Sequence, residues 1–186
     1  MSHDIHEIPE GLPAPQDDQA CAHLPGSPLP SVLLQSTDGT SVDLSRVQGS
    51  IVVFAYPRTG RPGQEPLVPD WNGIPGARGC TPQTSGFRDL FAEFRALGVA
   101  VFGLSTQDTE YQREMAMRLA IPFPILSDSD QRLITAMRLP IFEVAGQTLL
   151  RRLAFFAEDG VIEHVFYPVF PADENAETVL TWLKSR

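Results

Sequence analysis

Sulfur is scarce in this chain: its 186 residues hold only two cysteines, Cys21 and Cys80. Two isolated thiols make no disulfide framework and leave no C-x-x-C pair for zinc or for dithiol exchange. Histidine is sparse as well, and His164 is the only one beyond the first 30 residues. No apolar stretch approaches the roughly 20 residues that a membrane-spanning helix needs, and the acidic beginning has no signal-peptide pattern. There is no basic run, and a net charge of −9 repels nucleic acid and anionic lipid. These absences predict a cytoplasmic protein that binds neither nucleic acid nor membrane.

What is present suits one globular domain, with 42% hydrophobic and 20% charged residues. The first 30 residues carry Pro9, Pro13, Pro15, Pro25, Pro28 and Pro30 and few large apolar side chains. They read as an extended, flexible arm without a core of its own. Val32-Leu33-Leu34 then reads as a strand, Asp38-Gly39 as a hairpin turn and Ser41 to Leu44 as the return. The unbroken apolar run from Ile51 to Tyr56 is the signature of a central strand buried on both faces.

From Gly60 to Gly79 periodicity stops, and Pro62, Pro66, Pro69 and Pro75 alternate with glycines. So long a loop inside a domain marks function or disorder. A helix follows, with Thr81 as N-cap, Pro82 in the first turn, Phe87, Leu90, Phe91, Phe94 and Leu97 at helical spacing, and Gly98 as its stop. Val99 to Leu104 is a second buried strand, joined to the first by a right-handed crossover. Asp108 or Thr109 caps a further helix, and Asp128 or Ser129 another. Leu149 to Phe156 and Val161 to Tyr167 read as a strand pair around Glu158-Asp159-Gly160, and Asp173 caps a last amphipathic helix. The expected architecture is α/β, a central mixed sheet flanked by helices, in one domain over 31–186 with a loop insertion at about 60–79.

This order puts Cys80 at a helix N-terminus, where unpaired N–H groups and the positive end of the dipole favour thiolate over thiol. Gly76, Arg78 and Gly79 precede it and supply a cation and a flexible backbone instead of apolar packing. The competing reading is a small buried hydrophobe.

Several segments resemble the peroxiredoxin superfamily, closest to its Q-type or bacterioferritin-comigratory branch. They are Tyr56-Pro57 after the buried strand, Pro75-Gly76 before Gly79-Cys80-Thr81, Gly86-Phe87-Arg88-Asp89 in the helix and Gly103-Leu104-Ser105 ending the next strand. The likeness covers about residue 29 to the C-terminus and implies a thioredoxin-like fold. It implies a thiol peroxidase for hydrogen peroxide and organic hydroperoxides, working without metal, haem or flavin through a cysteine sulfenic acid. Cys80 matches the peroxidatic cysteine, Arg151 the active-site arginine, and Pro57 the proline that shields the site from water. Gln83 stands where relatives have Glu or Gln, and Arg78 is a further supporting candidate. By alternation Arg152 should point away, solvated or ion-paired.

Two departures follow. The family's Thr or Ser three residues before the cysteine is Ala77 here, so Thr59 becomes the candidate hydroxyl. The resolving cysteine expected five residues later is Ser85, which leaves Cys21 on its arm or an external thiol to reduce the sulfenic acid. That thiol is thioredoxin, a glutaredoxin-like protein or a low-molecular-weight thiol, and the enzyme acts as a monomer or homodimer. Competing readings are a thiol–disulfide oxidoreductase or a peroxide sensor on the same fold, and a cysteine hydrolase, for which His164 is badly placed.

Overall fold

The computed structural model describes residues 4–186. Its frame is a mixed sheet in which β3 (Ser50–Ala55) and β4 (Val99–Ser105) run parallel at the centre. β4 pairs in parallel with β5 (Ile125–Ser127), which meets the edge hairpin of β1 (Leu33–Ser36) and β2 (Ser41–Asp43). On the other side β3 is antiparallel to β8 (Leu153–Glu158), and β8 to β9 (Val161–Phe166). The strand order is β2-β1-β5-β4-β3-β8-β9. Five of the six β3 residues are buried, as its unbroken apolar run requires of a strand covered on both faces. The β8–β9 turn has positive φ at Asp159 (45°) and Gly160 (81°), the backbone that a two-residue hairpin loop needs.

Residues on the two faces of the sheet build two cores. Val52, Phe54 and Tyr56 pack with Phe87 of α1 (Cys80–Asp89), Phe94 of α2 (Phe91–Ala96), Met115 of α3 (Thr109–Arg118) and Val179 of α5 (Asn175–Lys184). Ile51, Val53 and Ala55 pack with Leu133, Ile134 and Met137 of α4 (Arg132–Met137) and with Cys21, Leu24 and Leu29. Phe87 stacks on Phe54 with ring centroids 4.2 Å apart. That contact docks α1 on β3.

Three expectations need correction. The helix after the long loop is two helices, broken at Leu90; Phe94 stays buried, whereas Leu97 is 44% exposed because the break turns the apolar stripe. The strand expected over 149–156 is also two: β7 (Gln147–Leu150) pairs with β6 (Ile141–Val144) in a separate hairpin, and β8 starts only after Arg151-Arg152. The arm over 1–30, expected to be extended and flexible, packs its later part on the domain: Cys21, Leu24 and Leu29, each 5% exposed or less, join the sheet's core, and Pro28 bridges to Val161. Burying a leucine contributes about 1.5–3 kcal/mol, enough to hold this segment against the sheet.

Candidate active site

α1 begins at Cys80, and its N-cap is Gly79 at φ +102°, two residues before the expected cap at Thr81. Only glycine adopts that φ without strain. A Cβ there would also lie 2.7 Å from the Cβ of Ala172, so the close approach of the segment before α5 requires the same residue. Cys80 is thus the first helical residue, at the end of the long loop and near the carboxyl edge of β3.

Cys80 is 4% exposed. Its sulfur receives a hydrogen bond from Nη2 of Arg152 at 3.2 Å and lies 3.5 Å from the carbonyl oxygen of Ala77. The same Nη2 reaches the carbonyls of Gly76 (3.1 Å), Ala77 (3.2 Å) and Arg78 (3.0 Å), so one guanidinium clamps the turn that presents the thiol. Nη1 of Arg152 donates to Oε1 of Gln83, whose Nε2 donates to Oδ1 of Asn175 at 2.8 Å. A polar chain therefore runs from the start of α5 through α1 to the sulfur. Arg152, Gln83 and Asn175 are all at most 3% exposed, so the buried guanidinium charge rests on the acceptors that its two terminal nitrogens reach, while its Nε has no hydrogen-bond partner among the described residues.

Arg151, expected at the thiol, is not there. Its backbone N–H bonds the Pro140 carbonyl beside the β6–β7 hairpin, and its Nε donates to the Ile141 carbonyl at 3.2 Å. The reason is register. β8 pairs Ala154 with Phe54 and Phe156 with Val52, residues of the core that contains Cys80. Arg152 is in phase with 154 and 156; Arg151 is in phase with Leu153 and Phe155, which face the other core. The signal was present in the alternation, but the anchoring face was not.

A cavity of about 310 Å³ opens at the sulfur, with Thr59, Gly79, Cys80 and Thr81 among the residues on its wall. Thr59 is fully buried, and its hydroxyl donates to Oε1 of Gln107 at 3.1 Å. Gln107 also accepts from the Thr59 N–H (3.0 Å) and donates to its carbonyl (3.2 Å), an anchor that sequence reasoning missed. Pro57 is buried but does not line the cavity; its neighbour Arg58 does. Arg78 lines it too, while its guanidinium donates to the carbonyls of Asp4 and Glu7 (3.3 Å for Glu7). Tyr56 lies in the same core as Cys80, and burial pushes its phenol well above the ordinary range, so it stays protonated. Arg88 pairs with Asp89 and lies outside the cavity.

Cys21 is not brought near Cys80. It packs in the core on the opposite face of the sheet, and burial, with smaller contributions from Asp18 and Asp17, pushes its thiol up to about 12. This packing counts against the alternative in which it swings toward Cys80 on a free arm. His164 stacks on Trp182 at 4.6 Å, away from the thiol's cavity.

A family model described as Redoxin matches residues 24–180. Peroxiredoxin Bcp of Escherichia coli (strain K12) is 31% identical over 164 residues, which cover 86% of this chain and 94% of that protein. The putative chloroplastic peroxiredoxin Q of Oryza sativa subsp. indica is 27% identical over 161 residues. The match takes in 86% of this chain but 66% of the rice protein, just under two thirds of its length. Among solved structures, peroxiredoxin Q of Xanthomonas campestris aligns with a TM-score of 0.68 at 22% identity, over 88% of this chain and 96% of that one. Peroxidoxin BcpB of Mycobacterium tuberculosis aligns at 0.69 and 24%, over 88% and 98%. These two likenesses show a shared thioredoxin-like fold.

Proposed function

The chain belongs to the Redoxin family, among the peroxiredoxins related to peroxiredoxin Q and Bcp, and on that premise we propose a one-cysteine thiol peroxidase. Cys80 attacks the terminal oxygen of a hydroperoxide as the thiolate. The S–O bond forms as the O–O bond breaks, and the electron pair leaves on the distal oxygen, which takes a proton to give an alcohol, or water from hydrogen peroxide. The sulfur is oxidised by two electrons to sulfenic acid. A thiol from outside the chain then attacks that sulfur, releasing water and leaving a mixed disulfide, and a second thiol frees Cys80.

The observation that carries this reading is the Arg152 guanidinium 3.2 Å from a sulfur at a helix N-terminus, open to a cavity. A guanidinium there meets negative charge on sulfur and then on the departing oxygen without reorganising. In this reading Gln83 and Asn175 position Arg152, and Pro57, buried next to the cavity residue Arg58, backs the cavity wall. Thr59, held by Gln107, supplies the hydroxyl that Ala77 lacks, and Arg78 supports the turn before Cys80. Cys21 takes no part, because it is buried across the sheet. The catalytic domain runs over 31–186 with the loop at about 60–79 as its insertion, in a cytoplasmic protein acting as monomer or homodimer.

Stopped-flow mixing with one equivalent of hydrogen peroxide tests the proposal. Rapid stoichiometric consumption, lost in Cys80→Ser, supports it, with one added oxygen on Cys80 by mass spectrometry. Oxidation no faster than that of free cysteine, or a Cys21–Cys80 disulfide as the product, would count against it.

A further inference from the structure

The cavity at Cys80 is larger than hydrogen peroxide requires: about 310 Å³, where one water in the liquid takes roughly 30 Å³. Its charge is also opposite to that of the chain. Arg58, Arg61 and Arg78 line it against a single carboxylate, the exposed Glu65, in a protein of net charge −9.

The two outer arginines are short of anions. Arg58 and Arg61 share one aromatic ring, with guanidinium carbons 5.0 Å and 4.2 Å from the Tyr111 centroid. Arg58 donates to Oε1 of Gln147, a neutral amide, at 3.3 Å. Arg61 has Glu114 at 3.5 Å, but that carboxylate is bonded to Arg118 at 2.8 Å, and the buried Nε of Arg61 has no hydrogen-bond partner among the described residues. Two neighbouring cations, of which only Arg61 has a carboxylate and shares it with Arg118, attract a further anion, more so beside low-dielectric walls. Ile5, Leu67 and Trp71 supply such walls in the same cavity.

Resting on the thiol peroxidase reading, we propose that Arg58 and Arg61 form a carboxylate-binding subsite. The substrate it selects is an organic hydroperoxide that carries a carboxylate and an apolar body. The carboxylate sits on the two guanidinium groups, the body lies against Leu67 and Trp71, and the hydroperoxide reaches Cys80.

Cumene hydroperoxide and its para-carboxylate form a matched pair for the test, with neutral dithiothreitol as reductant for both. The carboxylate is expected to show a kcat/KM about tenfold higher, expressed in KM, as a charge-assisted contact allows. Raising the salt should shrink this preference. Arg58→Gln and Arg61→Gln should each reduce it and the double variant bring the ratio near one, while Arg61→Lys keeps most of it. In a second arm the oxidised enzyme is reduced by 3-mercaptopropionate or by 2-mercaptoethanol. Equal rates for the two hydroperoxides, or a preference that survives in the double variant, overturn the subsite. A preference confined to the thiols overturns its assignment to the peroxide and gives it to the reductant. Hydrogen peroxide turnover by the same wild-type preparation separates this result from failure of the peroxidase reading, which would abolish activity toward every peroxide.

Discussion

Arg152 is the residue on which the site's electrostatics turn. It is 3% exposed, bonds the sulfur and holds three carbonyls of the preceding turn, so its loss removes both a donor and a brace. Arg152→Ala should slow oxidation of Cys80 by about 100- to 1,000-fold, the range seen when one preorganised donor is deleted. Arg151→Ala should change it by no more than about twofold, and stopped-flow kinetics on both variants decides which arginine serves the thiol. At Cys21, a thiol pushed up to about 12 is protonated at every ordinary pH and buried. Iodoacetamide at pH 8 should therefore modify Cys80 and spare Cys21 in the native protein, and Cys21→Ser should keep peroxide turnover. Modification of Cys21 at a comparable rate, read by peptide mass mapping, would show that its segment opens readily.

At the scale of the element, the first turn of α1 is set by a contact with the segment before α5 that local propensity cannot express. Thr81 and Pro82 made a plausible start, yet the helix begins at Cys80 because Gly79 turns the chain at φ +102° under Ala172. Gly79→Ala combines an unfavourable φ with a close contact and should cost about 1–3 kcal/mol, measured as a lower urea midpoint. Phe87→Ala empties the stack on Phe54 and should cost about 3–5 kcal/mol. Both variants should also slow Cys80 oxidation, because each moves the helix start relative to Arg152.

For the molecule as a whole, packing of β9 against α5 links stability to pH. His164 on β9 stacks on Trp182 of α5, and burial lowers its pKa from the ordinary value. The folded chain then binds this proton less readily than the unfolded chain. The stabilisation is complete above the unfolded pKa near 6.5 and is lost as pH falls through the lowered folded value. Urea midpoints at pH 7.5 and 5.0 should show a smaller acid-induced drop in His164→Phe than in the wild type; equal drops would remove His164 as a cause. By itself the sequence determined the central strands, the helical stretch after the loop though not its break at Leu90, the closing turn at Asp159-Gly160 and the isolated thiol at a helix start, because each is written in local periodicity and turn chemistry. Only the tertiary structure decided that Arg152 and not Arg151 meets the sulfur, that Cys21 lies across the sheet from it, and that β7 leaves the main sheet. Those outcomes depend on the register between segments distant along the chain. A period of two or of 3.6 says which residues share a face, and packing alone says what that face meets.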